Sequence, residues 1–176
     1  MSATQVAQDR LAGSWNFSAV HSSAEFSVKY LVASFRGRFN EVDAKLENGK
    51  LTGSVKADSV SVKDENLIGH LLAPDFFDAE SYPEITFESD SLEVDGDQAV
   101  IDGSLTIKGK SNPIHVTGDV AGPVVGAHGE TRLGFTFETT IDRTAYGLDW
   151  NADLPAGGKA LSNDVKLTVE LEFIQA

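Results

Sequence analysis

Apolar and polar residues alternate along most of this chain with a period of two. In residues 25–32, Phe26, Val28, Tyr30 and Val32 share one face while Ser27 and Lys29 share the other. In 165–173, Val165, Leu167, Val169, Leu171 and Phe173 oppose Lys166, Thr168, Glu170 and Glu172, and Phe135, Phe137 and Ile141 are in phase within 133–141. That period belongs to strands with one buried face. Asn48-Gly49 supplies the two positive φ angles of a tight hairpin turn, and placing the turn there pairs Leu46 with Leu51, Ala44 with Gly53 and Val42 with Val55. Every apolar residue then lies on one face, an independent check on the register. A turn at Gly96-Asp97 likewise sets Val94 opposite Ala99 and Leu92 opposite Ile101, and a longer loop over Lys108–Pro113 joins a third hairpin. Gly37, inside a strand pattern, predicts a bulge or bend, and the glycine-rich run 122–129 reads as a short connection. The pattern lapses between Asp142 and Gly158 into a longer loop that carries Tyr146 and Trp150.

One stretch breaks the rhythm. From Asn66 to Phe87 the period gives way to helix-spaced Leu67, Ile68, Leu71 and Leu72, followed by Phe76-Phe77. Asp64 is suited to cap a short helix and Pro74 forbids its continuation. Eight or nine strands with one helical insert after the fourth must either sandwich or close, and closure removes exposed edges. The expectation is therefore an all-β fold: an extended antiparallel eight-stranded barrel, with the insert packed against or capping its opening. A barrel of about eight strands is just wide enough to be filled by side chains or to hold one small ligand. Residues 1–13 read as a flexible N-terminal segment and 14–176 as a single barrel domain.

Composition narrows the functions. The 176 residues fit one domain, and no apolar run approaches the roughly 20 residues that span a bilayer, so no membrane insertion is expected. Residues 1–10 lack the cationic start and apolar core of a secretory signal, which places the chain as written in the cytoplasm. With no cysteine, disulfides, thiol catalysis and thiolate metal sites are excluded. A formal charge of −13 repels nucleic acid and anionic membrane surfaces unless the few lysines and arginines are gathered on one face.

Candidate chemistry is sparse. His21, His70, His115 and His128 are too scattered for a local metal motif, so no metal is expected. His21-Ser22-Ser23 sets a hydroxyl beside an imidazole, but neighbours in an extended segment face opposite ways, so the triplet reads as a turn with local hydrogen bonds. Asp75, Asp78, Glu80 and Glu84 read as a solvated rim near the insert. Lys108-Gly-Lys110 and Gly157-Gly-Lys159 are too short to cradle phosphate, and no cofactor is implied. Arg143, set in an aromatic loop, is a candidate to pair with a carboxylate or cap a pocket.

Assembled in order, these pieces resemble the YceI-like family of lipid-binding proteins. The residues that carry the likeness are Trp15, His21-Ser22, Phe26-Ser-Val-Lys29, Gly37 with Phe39, Asn66 with His70-Leu71 and Asp75-Phe-Phe-Asp78. Tyr82-Pro-Glu-Ile-Thr-Phe87, Gly103-Ser-Leu-Thr-Ile-Lys-Gly109 and Arg143 with Tyr146-Gly147-Leu148 continue it. The resemblance implies a lipocalin-like barrel whose long hydrophobic interior holds a polyisoprenoid or similar amphiphile, with no established catalytic residues. Two departures stand out: Ile68-Gly69 replaces the Arg-Asp common before the family's His-Leu pair, and Tyr30-Leu31 stands where a His-Leu often ends the second strand.

Three functions follow, led by a non-catalytic carrier or store for an isoprenoid-type lipid such as a quinone or polyprenyl chain. The others are a filled-barrel stress-response or protein-interaction module, and an enzyme acting on a lipophilic substrate through His21, His70 or Arg143. For the carrier, the expected lining is Phe26, Val28, Tyr30, Phe35, Leu67, Leu71, Leu72, Phe76, Phe77, Phe87, Phe137 and Trp150. Trp15 and His21 join Tyr30 and Trp150 as candidates to meet a polar headgroup, and a homodimer sharing its barrel mouth is a further option.

Overall fold

The computed structural model describes residues 9–176. Its strands are β1 (Ser14–Phe17), β2 (Ser23–Tyr30), β3 (Ala33–Phe39), β4 (Val42–Glu47), β5 (Lys50–Lys56) and β6 (Val60–Val62). After the insert come β7 (Glu84–Asp95), β8 (Gln98–Ile107), β9 (Lys110–Val125), β10 (Thr131–Asp142) and β11 (Leu161–Gln175). Every pairing among them is antiparallel. Eight of them, in the order β1-β4-β5-β7-β8-β9-β10-β11, close on themselves through the β1–β11 pair. This is the expected all-β, lipocalin-like eight-stranded barrel.

Closure depends on β11 serving two partners along one edge. Its last residues pair with β1 (Phe17↔Phe173), while residues before them pair with β2 (Val28↔Val165 to Ser23↔Glu170). Between β1 and β2 the chain bends through a 3-10 turn, Ala19–His21. The bend is held by side chains: Ser22 Oγ donates to Ser18 O (2.7 Å) and accepts from Glu172 N (3.0 Å). Glu172 Oε1 in turn meets His21 Nδ1 (2.9 Å) and Arg132 Nη1 (2.7 Å). So His21-Ser22 is a turn with local hydrogen bonds, as read from the sequence.

Both predicted hairpin registers are present, Leu46↔Leu51 across Asn48-Gly49 and Leu92↔Ile101 across Gly96-Asp97. Asn48 (φ 48°) and Gly49 (φ 78°) take the left-handed conformations that the turn requires. Other local readings shift. Strand β2 stops at Tyr30, and Leu31-Val32 form the turn into β3, leaving Val32 fully exposed. The third hairpin turns tightly at Lys108-Gly109, and β9 runs on to Val125, so strand replaces the first half of the expected connection over 122–129. Gly37 lies in regular pairing with Phe26 and Val62, without a bulge.

The insert falls where the sequence put it: a 3-10 turn Glu65–Leu67 running into α1 (Ile68–Leu72), with Asp64 Oδ1 accepting from Asn66 N (3.1 Å). It follows six strands rather than four, and one of the two additional strands is β6, a Val-Ser-Val triplet too short to register as alternation. Toward this end of the barrel β6 pairs only with β3, and Leu71, Phe76 and Phe77 pack between β6 and Ile85 of β7, filling the opening.

The opposite end is solid. Trp15, Leu46, Val94, Leu133, Phe135 and Phe173 pack there with Leu11, so the chain before β1 contributes to the core. Of the expected flexible segment 1–13, residues 1–8 lie outside the described residues, and Arg10 donates to Gly96 O (2.5 Å) and Gly122 O (2.6 Å).

The bend carries a pH signature. Partial burial raises the Glu172 pKa, but the hydrogen bonds from His21 and Ser18 and the charge of Arg132 outweigh it and hold the carboxyl below its ordinary value of 4.5. A depressed folded-state pKa gives stability that is present above the unfolded value and lost as pH falls through the folded one. Thermal unfolding followed on acidification below pH 4.5 is expected to show a shallower loss for Glu172→Gln than for the parent. Parallel pH profiles would remove Glu172 from the account.

Candidate functional site

Above the solid end the barrel is hollow. The cavity measures about 450 Å³, within the roughly 300–1,000 Å³ typical of ligand sites. Its floor is Phe137, Leu171, Ile101, Leu51 and Val116. Phe137 stacks on Phe135 with centroids 5.7 Å apart and planes at 10°, so one face of β10 marks the border between filled and hollow barrel. The walls are the inward phase of the strands, among them Val55, Ile85, Ile107, Ile114, Ile141, Val165 and Leu167. Glu25 and Asp43 border the space, but both are exposed and belong to the outward phase of β2 and β4.

Large rings leave room because they lie flat against glycines. A Cβ on Gly37 would stand 2.4 Å from Phe26 Cζ; on Gly103 and Gly118 it would meet the Glu88 and Thr136 carbonyl oxygens first, each at 2.3 Å, and then Phe87 Cζ at 2.6 Å and Phe137 Cδ1 at 2.7 Å. All three phenylalanines line the cavity. Gly37 is thus required by a ring crossing its strand, not by a bulge. Phe26 is also a hub, with Phe35, Phe39 and Phe77 at centroid distances of 6.3, 5.8 and 6.4 Å.

The mouth is built by the β2–β3 turn, the insert and the loop before β11. His70 of α1 packs edge-on against Phe76 and Trp150, each at 4.9 Å, with Asp75 Oδ2 3.6 Å from its Nε2. Tyr30 is 44% exposed there and still lines the cavity, as does Leu67.

Arg143 holds the loop. It is 3% exposed, and four of its five N–H groups are used on main-chain carbonyls: Nε on Ser162 (2.8 Å), Nη1 on Leu148 (2.5 Å) and Trp150 (2.9 Å), and Nη2 on Leu161 (3.4 Å). Burial lowers its pKa, opposed by the charges of Asp149 and Asp142. No carboxylate bonds it, so the sequence option of an ion pair gives way to a fork that ties Leu148 and Trp150 to the start of β11. Asn151 adds a second tie, donating to Leu161 O (2.7 Å) and accepting from Leu161 N (2.8 Å).

Of the residues expected to line a pocket, Phe26, Val28, Tyr30, Phe35, Leu67, Leu71, Phe76, Phe77, Phe87, Phe137 and Trp150 do so. Three lie elsewhere. Trp15 is buried in the solid end with its Nε1 unpaired, because β1 closes the barrel at the far end from the mouth. His21 sits outside, on Glu172, because the bend turns it away from the interior. Leu72 falls on the side of α1 that packs against the core around Phe39, Val60, Val62 and Leu71. Sequence reasoning missed Val165, Leu167 and Val169 of β11 as lining, although their alternation was visible, and Leu161, which a register shift separates from that run. Among the described residues no three His, Asp or Glu converge to hold a metal, and no helix is long and apolar enough to cross a membrane.

The family model described as "YceI-like domain" matches residues 15–173. A UPF0312 protein of Staphylococcus aureus, SA2479, is 32% identical, with 90% of this chain and 96% of that protein aligned. Among solved structures, BcnA of Burkholderia cenocepacia superposes with a TM-score of 0.74 at 21% identity, covering 89% of this chain and 99% of BcnA. A polyisoprenoid binding domain from Saccharophagus degradans gives 0.72 at 16% identity, covering 93% and 98%. These two likenesses concern the fold.

Two substitutions test the site. Gly37→Ala pushes the movable ring of Phe26 into the lumen, so the affinity for an apolar fluorescent probe such as anilinonaphthalene sulfonate should fall about tenfold with a stability loss of about 1–2 kcal/mol. Unchanged affinity would show that the ring does not set the lumen's width. Arg143→Lys replaces a planar fork with one ammonium that cannot serve four carbonyls on two segments. Leaving buried carbonyls unpaired costs roughly 1–3 kcal/mol, a fall in Tm of several degrees by calorimetry. A parental Tm would dismiss the fork as the loop's anchor.

Proposed function

The chain belongs to the YceI-like family, and from that premise we propose that it binds, and stores or carries, a long apolar isoprenoid-type lipid in the barrel without performing chemistry on it. The observation that carries the reading is the cavity itself: about 450 Å³, closed at one end by packed side chains, apolar along its walls and open beside Tyr30, His70 and Trp150. The chain of a polyprenyl or quinone lipid enters tail first toward Phe137. Its polar end stays at the mouth, where Tyr30, His70 and Trp150 offer polar atoms on largely apolar bodies. Removing even about 300 Å² of apolar ligand surface from water contributes about 7 kcal/mol before ordering costs.

A binder fits the lining better than a catalyst. Of the lining side chains that ionise and face inward, Arg143 is committed to the backbone, His70 is wedged between two rings and Tyr30 stands half exposed at the mouth. The name of the Saccharophagus degradans domain adds support for a polyisoprenoid as the ligand class.

Native mass spectrometry of freshly purified protein, repeated after organic extraction, tests the proposal. The expected result is a discrete added mass that extraction removes and that matches an isoprenoid in the extract. A bare protein mass, together with failure of added quinone or polyprenyl lipid to bind, would favour the filled-barrel interaction module instead.

A further inference from the structure

The four two-residue hairpin turns contrast sharply. Three pair a glycine with a residue suited to water: Asn48-Gly49, Gly96-Asp97 and Lys108-Gly109, although Lys108 at φ 52° is left-handed too. The fourth, at the cavity mouth, is Leu31-Val32, with Leu31 at φ 54° and 55% exposed and Val32 fully exposed. A branched apolar pair in water at a left-handed turn is unfavourable in the isolated molecule. Tyr30 before it and Leu67 across the mouth are exposed as well, so the apolar tip is continuous with the cavity lining.

The charges around this tip are sorted. In a chain of net −13, most lysines and arginines are engaged: Lys45, Lys50, Lys56, Arg132, Lys159 and Lys166 with carboxylates, and Arg10, Lys108 and Arg143 with carbonyls. Lys29, Arg36, Arg38, Lys63 and Lys110 have no hydrogen-bond or ion-pair partner among the described residues. Four of these five belong to one face. Lys29 lies in the outward phase of β2, Arg36 and Arg38 in that of β3, and Lys63 follows β6, whose Val62 pairs with Gly37. Glu25, opposite Arg38, makes no ion pair with it, and the exposed Asp64 and Glu65 directly after Lys63 make none with Lys63, Asp64 instead accepting from Asn66 N.

We propose that this end of the barrel docks on an anionic bilayer surface, with Leu31 and Val32 entering the headgroup boundary and Lys29, Arg36, Arg38 and Lys63 meeting lipid phosphates. The two signals match what peripheral membrane binding needs, a small apolar wedge and unpaired cations beside it. Each cation near an anionic surface is worth roughly a fivefold gain in partitioning at physiological salt. Docked in this way, the mouth faces the hydrocarbon that supplies or receives the occupant, which is how the inference deepens the lipid-binding reading. Val124 and Val125 form an exposed apolar pair at the other end, but none of the five unpartnered cations flanks them.

Vesicle flotation tests it with the full chain. Vesicles of phosphatidylcholine mixed with phosphatidylglycerol should carry the protein up the gradient, pure phosphatidylcholine vesicles should not, and raised salt should release it. Leu31→Asp/Val32→Asp and Arg36→Glu/Arg38→Glu should each lose at least tenfold in bound fraction, while Val124→Asp/Val125→Asp floats like the parent. Anilinonaphthalene sulfonate binding in vesicle-free buffer is read in parallel: a tip variant that still binds the probe but does not float keeps the lumen separate from the docking. Failure of the parent to float with anionic vesicles would overturn the inference, as would equal flotation by the tip variant. A parental dimer split by Leu31→Asp/Val32→Asp, with no flotation, would assign the patch to a second copy of the chain and also overturn it. None of these outcomes bears on whether the lumen holds a lipid.

Discussion

The structure depends on one strand doing the pairing of two. β11 runs 15 residues and offers a single edge to both β1 and β2, which are consecutive in sequence and differ in the end of the barrel they serve. Pairing with β1 brings β4 alongside and closes the ring tightly, whereas pairing with β2 sends the wall outward through β3 to β6. The bend between β1 and β2 is therefore where the barrel changes from narrow to wide. It lies at the surface, where hydrogen bonds among Ser18, Ser22, Glu172 and Arg132 can hold an angle that no ladder hydrogen bond could.

A wall that widens leaves a gap, and the remaining features are the consequences. The helical insert exists to fill the opening between β6 and β7, and it does so with its apolar face and the two phenylalanines that follow. It fills the edge and leaves the lumen, because the rings that could have collapsed inward lie against Gly37, Gly103 and Gly118 instead. Glycine is usually a weak choice inside a strand. Here it is the residue that turns a packed core into a cavity, by giving an aromatic side chain a flat place to lie.

Much of this was legible in the sequence, and the limits have physical reasons. Strand faces and two registers followed from the period of two and from Asn48-Gly49 and Gly96-Asp97, because a one-residue slip would expose every apolar side chain at once. The insert followed from Asp64, the leucine spacing and Pro74. What alternation cannot convey is depth along the barrel axis. Phe135 and Phe137 share a face and a spacing, yet one belongs to the solid end and the other to the cavity floor. Trp15 was misplaced for the same reason. The bulge or bend expected at Gly37 misses the ring above it, which comes from another strand, and of the two roles expected for Arg143 the carboxylate pair gives way to main-chain acceptors, which have no sequence signature.

The sorting of charge completes the picture. Net charge describes how a chain behaves far from a surface, where its field is summed over the whole molecule and screened within about 10 Å. Close to a surface only the nearest groups count, and pairing decides which of them remain available. A lysine matched to a glutamate, as Lys50 is to Glu88, presents a dipole rather than a cation. By pairing most of its other cations, an acidic chain leaves Lys29, Arg36, Arg38 and Lys63 unpaired, among the described residues, on the outer face of β2, β3 and the end of β6, near the mouth of its apolar cavity.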